Sequence, residues 1–325
     1  MEAPPALRDQ DVAANVASLG LPGIVDLHVH FMPERVQAKV WAHFDRLDPP
    51  WPIVYRAGEA ERLAILARLG VRRHTAPKRL AHHRRPTGSP SGSRGVGDAR
   101  ASSAYAHRPG MAAWLNGHTL ALAAAHQAVI GSFTFYPEPG VEAEVERALA
   151  AGGTVAKVHL QVGKFHALDP LLDPVWAELA RRRVPVVLHA GAVPDGSDGE
   201  EFCGAGKVAG LLDRFPDLVL VVAHLGAPDF GDFLDLAEAA PTLRLDTAMV
   251  FGGPEAIGAF PARLVERLGS LGERVLFGSD FPSVAWPFAG QLGGLAALGL
   301  GDEWLRAVLW RNGARVLGLD ADPDG

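Results

Sequence analysis

Cysteine is almost absent: Cys203 is the sole thiol among 325 residues, so no intramolecular disulfide can form and a disulfide-stapled scaffold is excluded. Long apolar runs are missing too. Stretches such as Leu218 to Ala223 fall far short of the ~20 residues that span a bilayer. They read as buried strands, and no membrane is expected as a partner. A basic surplus is also lacking, with 31 Lys and Arg against 37 Asp and Glu and a formal net charge of −6. That balance argues against nucleic acid and for a small-molecule substrate. The first residues show no basic segment followed by an apolar stretch long enough for a secretory leader, so the cytoplasm is the expected compartment. Homo-oligomers are left open.

What is present is an ordinary globular mixture, 48% hydrophobic and 21% charged, arranged in a repeating rhythm. Short runs rich in Val, Ile and Leu, bounded by Gly, Pro and Asp, alternate with longer stretches of helical periodicity. Strands are expected to start near residues 23, 70, 129, 154, 184, 218, 243 and 274, and helices over 57–69, 110–127, 141–151, 171–183, 204–215, 229–239, 254–268 and 302–317. Eight such units close naturally into an α/β fold, a (β/α)8 TIM barrel. A doubly wound open sheet is the alternative, but it would not bring the polar residues at so many strand ends to one crevice. The barrel is expected over 23–319, with an N-terminal extension over 1–22 and a tail over 320–325. Residues 76–104, rich in Arg, Gly, Ser and Pro, break the rhythm and are expected to be a flexible insertion after the second strand. His82 and His83 within it have no strand to fix them and are not counted as ligands.

The first strand ends in Asp26-Leu27-His28-Val29-His30. Side chains alternate across a strand, so Asp26, His28 and His30 share one side, and two imidazoles this close on a rigid element can share one ion. Alone, the motif is equally met by a hydrogen-bonded pair. Three further strand ends carry His189, His224 and Asp280 after apolar runs, and the convergence of four histidines and a carboxylate on one barrel face points to a divalent metal, most naturally Zn2+. Three histidines and an aspartate leave a position for water, as a catalytic site requires.

The ordered series D-x-H-x-H, a lysine strand, P-V-V-L-H, A-H-L-G, F-G-S-D-F-P and N-G-A-R-V-L-G-L, from Ile24 to Leu319, resembles the amidohydrolase superfamily. The similarity is to the branch of aminocarboxymuconate-semialdehyde decarboxylase and related metal-dependent hydrolases. The resemblance implies that His28, His30, His189 and Asp280 hold one divalent ion and that His224 deprotonates the water it activates. Histidine titrates near neutrality, which suits that task, and Asp280 can share the same proton while serving as ligand. Asp26, deeper on its strand, is expected to support the ligands from behind.

Lys157 and His159 carry an ambiguity. Some superfamily members use a carboxylated lysine on the fourth strand to bridge two metals, and Lys157 has the matching position; a lysine that binds substrate or forms an ion pair is the preferred alternative. Gln161 and Lys164 are further candidate substrate contacts. Arg35, Arg56 and Lys207 are candidates for gripping a carboxylate, with solvated surface charge as the plainer reading. The loop Ala192 to Lys207, with Asp195, Asp198, Glu200 and Glu201, is expected to shape the mouth of the pocket. Trp114, Trp176, Trp286 and Trp304 are expected to pack against helices, and Asn312 and Arg315 to be structural. The expected activity is hydrolysis of a small amide, ester or lactone, with a decarboxylase on the same site as the alternative. A phosphoesterase lacks the additional ligands it needs, and a binder without turnover would differ only in its activity.

Overall fold

The computed structural model describes residues 7–71, 100–103, 105–192, 198–253 and 257–319. Strands β1 (Asp26–His30), β2 (Arg100–Ser103) and β3 (Val129–Ile130) form one parallel ladder. Strands β4 (Ser132–Phe133), β5 (Val155–His159), β6 (Val186–His189), β7 (Leu220–Val222), β8 (Leu243–Asp246) and β9 (Val275–Leu276) form another, again parallel and in chain order. Only Gly131 separates β3 from β4, so the two are halves of one barrel strand; a Cβ at Gly131 would collide with the carbonyl of Gly152. At the other edge Val29 bridges Phe281 in parallel. Asp280 N donates to His28 O at 2.7 Å, and His30 N to Phe281 O at 2.7 Å. The sheet therefore closes on itself as a TIM barrel.

Closure explains why β1 is buried at all five positions rather than alternating in and out of water: one face looks into the barrel and the other lies under helices. Helices such as Val141–Ala150, Asp173–Arg182, Ala205–Arg214 and Phe230–Ala239 alternate with the strands and contribute Val145, Trp176, Leu211 and Phe233 to the main core. Among the described residues no helix is long and apolar enough to cross a membrane.

Two expectations are corrected. The second strand was expected over 70–75. Val71 does bridge Ile24, but residues 72–99 lie outside the described residues, and pairing with β1 is taken up by Asp26↔Arg100, Val29↔Ser102 and His30↔Ser103. Residues 100–103, expected to lie within the insertion, thus belong to the sheet, while residues 72–75 of the expected strand lie outside the described residues. Arg-Ala-Ser-Ser has no apolar run, so hydrophobic patterning could not reveal it. The expected helix 254–268 is helical among the described residues only from Ala262, because Pro261 lacks a donor and pushes the preceding residue towards extended backbone.

The N-terminal residues pack into the barrel. Val12 and Val16, on the helix Val12–Ser18, are buried in the main core. Asp9 reaches the start of the helix Phe288–Ala297: its Oδ1 accepts from Ala289 N at 2.9 Å, while the Tyr55 hydroxyl donates to its Oδ2 and accepts from Phe288 N. Two otherwise orphaned helix amides are satisfied this way. Asp9→Ala should lower stability by about 1–2 kcal/mol, as loss of a helix cap does. Thermal unfolding read by circular dichroism checks it, and an unchanged Tm would show that the contact contributes nothing.

Candidate metal centre

The carboxyl ends of β1, β5, β6, β7 and β8 and the turn after β9 all open on one cavity of about 210 Å³, lined by His28, His30, Lys157, His159, His189, His224 and Asp280 on its polar side. Strand geometry accounts for the grouping. His28, His30, Lys157 and His159 stand on the inward parity of their strands, and His159 and His189 are register partners on β5 and β6. Their rings stack at 3.7 Å and 13°, closer than the ~4.8 Å between adjacent strands.

His28 is held from behind. Asp246 Oδ2 lies 2.9 Å from its Nδ1, so Nε2 is the nitrogen turned to the cavity. There it meets Lys157 Nζ at 2.6 Å and Asp280 Oδ1 at 3.1 Å. His30 Nε2 meets the same Asp280 oxygen at 2.7 Å. Burial works against the charged form of His28, and so does Lys157, but Asp246 and Asp280 leave the ring above its ordinary value. Burial dominates at His30, His159 and His189 and holds all three below theirs.

Asp246 is the residue sequence reasoning missed. It is fully buried at the end of β8, and its Oδ1 accepts from His224 N at 2.9 Å and Ala248 N at 3.0 Å. Burial opposes its ionisation, yet the His28 ring, with smaller pulls from His224 and Lys157, brings its pKa down to about 2. A signal existed: Leu243-Arg244-Leu245-Asp246 ends a strand in a carboxylate just as the strand before Asp280 does. Gly278 makes room for the pairing, because a Cβ there would lie 2.8 Å from His28 Cβ and 3.2 Å from Asp246 Cγ.

His224 is set by its backbone, which takes φ 58°, a conformation that non-glycine residues adopt rarely and often at functional sites. Asp280 (φ 61°) and Met249 (φ 63°) share that feature. Ala248 O lies 2.9 Å from His224 Nδ1, fixing the tautomer with a lone pair on Nε2. Burial pushes the pKa of His224 down to about 4, which corrects the expectation of titration near neutrality. Desolvation of the imidazolium is the reason.

Ligand atoms of His28, His224 and Asp280 lie within 4.8 Å of one another, so the geometry brings His224 as near to a shared ion as the other two. His30 joins through Asp280. His189 is buried with no hydrogen-bond partner for Nε2 among the described residues, the condition of a ligand nitrogen whose partner is a metal ion rather than a proton donor or acceptor. The donor set, imidazole nitrogens with one carboxylate, fits a first-row divalent ion such as zinc.

The remaining candidates separate cleanly. Lys157 is buried, its pKa lowered to about 8 by burial against the pull of Asp246 and Asp280. His159 Nδ1 accepts from Val162 N at 3.2 Å, leaving its Nε2–H for the cavity. Asp26 accepts from His28 N and Ser279 N, each at 3.1 Å, and thereby ties β1 to the strand that carries Asp280. The expected anion grips are not in the cavity: Arg35 lies 4.4 Å over the Trp114 ring, Arg56 pairs with Asp45, and Lys207 donates to Cys203 O at 3.0 Å. Lys164 pairs with Asp198 at 3.1 Å on the surface, and Gln161 is buried outside the lining. Among the described residues of the loop Ala192 to Lys207 none lines the cavity; Asp195, like His82 and His83, lies outside the described residues. Trp176 donates to Ala167 O at 2.7 Å in the core, and Asn312 Nδ2 to Val275 O at 2.8 Å.

A family model described as amidohydrolase matches residues 25–319. No curated protein matches the chain significantly. Among solved structures, the chain is similar to an uncharacterised TIM-barrel protein from Bordetella bronchiseptica, with 18% identity over 91% of this chain and 98% of that one and a TM-score of 0.66. It is also similar to a probable 2-pyrone-4,6-dicarboxylic acid hydrolase from Acinetobacter baumannii, with citric acid bound (12% identity, 91% and 100% covered, TM-score 0.54). A third is 4-oxalomesaconate hydratase from Rhodopseudomonas palustris (16% identity, 91% and 95% covered, TM-score 0.53). At these identities the likeness is one of fold.

Proposed function

Because the chain belongs to the amidohydrolase family, whose model spans nearly all of it, we propose that it is a metal-dependent hydrolase of a small ester, lactone or amide. The observation that carries this reading is the Asp280 carboxylate oxygen on which the His28 and His30 imidazoles converge, in a cavity also lined by His189, whose buried Nε2 has no partner among the described residues. His28, His30, His189 and Asp280 would hold one ion, with zinc the best match to the donors. Bound there, a divalent ion lowers the pKa of water and polarises a carbonyl.

The chain's own groups do the rest. Asp246 keeps His28 in the tautomer that offers Nε2. Neutral at pH 7, His224 takes a proton at Nε2 from the attacking water and returns it to the departing oxygen or nitrogen as the carbon–heteroatom bond breaks. Lys157 and His159 present N–H donors to the substrate's oxygens. A carboxy-lyase on the same site is the second reading, favoured by Lys157, whose ammonium at the floor of the cavity suits a carboxylate. Release of carbon dioxide from a carboxylate panel separates the two.

Elemental analysis of protein purified without chelator should find about one divalent ion per chain, as the number of suitable donors implies. Chelation should abolish turnover, and added zinc should restore it. Two ions per chain together with a carboxylated Lys157 would replace this reading with a binuclear one.

A further inference from the structure

We infer that the substrate couples its reacting polar end to an uncharged, apolar body of about ten non-hydrogen atoms or fewer in all, an aryl or branched alkyl compound and not a dicarboxylate. The inference rests on the metal-dependent reading above and adds what the rest of the cavity selects.

The cavity has two unlike sides. Its floor holds the ligating and proton-carrying groups; its wall is built from Met32, Phe44, Leu47, Trp51, Met249 and Ile257. Phe44 closes the helix Glu34–Phe44 that follows β1, and Trp51 N donates back to Phe44 O at 3.0 Å, so the two rings stand 6.2 Å apart as a shelf. The polar tip of Trp51 is already engaged, because Nε1 donates to Ser283 O at 2.9 Å. Across from the shelf, Met249 is held by its amide, 3.2 Å from Gln291 Oε1, and offers a polarisable thioether suited to aromatic faces.

Charge makes the same choice. Among the described residues, Lys157 is the one lysine or arginine lining the cavity, and its Nζ already sits 2.6 Å from His28 Nε2 on the floor. A second carboxylate on the substrate would lie against the wall without a described cation, and an unpaired buried charge is strongly disfavoured. Size sets the upper limit. The cavity measures about 210 Å³, whereas an apolar cavity of ~150 Å³ accommodates benzene, so one ring and the reacting group fill it.

Calorimetric titration of the zinc-loaded protein with a matched pair of hydroxamates tests this. Benzohydroxamate and succinate monohydroxamate share the zinc-binding group, both lie within the size limit, and they differ in carrying a phenyl ring or a carboxylate. The phenyl compound should bind about 10–100-fold tighter, the worth of a buried ring. Leu47→Lys, which adds a cation to the wall, should narrow or reverse that ratio. Equal affinities, or preference for the succinate compound in the unmodified protein, would overturn the apolar-body inference while leaving the metal centre intact. Failure of both compounds to bind would sink the metal-dependent reading, and this inference with it.

Discussion

His224→Ala is expected to keep nearly full metal occupancy while kcat falls by ~10²–10⁴-fold, the usual worth of a positioned general acid–base group. His189→Ala, in contrast, should lose ion and activity together, because its buried Nε2 has no partner among the described residues and its removal deletes a donor. Measuring bound zinc and steady-state kinetics on the same preparations separates the two roles. The comparison matters because ligand atoms of His224, His28 and Asp280 lie within 4.8 Å of one another. If His224→Ala strips the ion as thoroughly as His189→Ala, His224 is a ligand, and the mechanism has to be rebuilt around a second ion and Lys157. The pH profile offers an independent check. Neutral Nε2 is required, and burial holds the ring near a pKa of about 4. Proton transfer through His224 should therefore persist through mildly acidic pH and be lost only as pH falls through that value.

Asp246→Asn should weaken zinc binding by roughly 10–100-fold, the usual effect of removing a group that orients a ligand. The asparagine carbonyl can still accept from His224 N and Ala248 N, as Asp246 Oδ1 does. Its amide then faces His28 Nδ1, where Oδ2 stood at 2.9 Å. That amide donates, so Nδ1 must present a lone pair and Nε2 must carry the proton. His28 is thereby switched away from the metal although none of the proposed ligand residues is substituted. Competition against a chelating dye measures the affinity, and circular dichroism confirms the fold. Unchanged affinity would show that His28 does not bind through Nε2.

Barrel and metal-site candidates were legible in the sequence because their residue types end apolar strands, where alternation and chain direction leave little choice of where they point. His28, His30, His189, His224 and Asp280 all reach the cavity for that reason. Asp246 obeys the same rule yet escaped, since a carboxylate that bonds backbone amides looks in sequence like any strand-end cap. Arg35, Arg56 and Lys207 show the converse limit: charge alone does not say where a long flexible side chain ends, and each found a partner elsewhere. Burial was likewise illegible, so the pKa of His224 was expected where an exposed imidazole titrates. The apolar wall arises from residues 32–51 and 249–257, segments whose apolar residues are indistinguishable by pattern from core.

The pairings beside the first strand have a further consequence. Val71 pairs beside Ile24 and Arg100 beside Asp26, so these two residues face positions two residues apart on the first strand, about 7 Å along it. For a connection between anchors that a ladder holds so close, closure entropy grows slowly with length, by only ~0.6 kcal/mol for each doubling. Changing the length of sequence between Val71 and Arg100 should therefore leave the register that aims His28 and His30 the same, so that stretch is open to change independently of the catalytic floor.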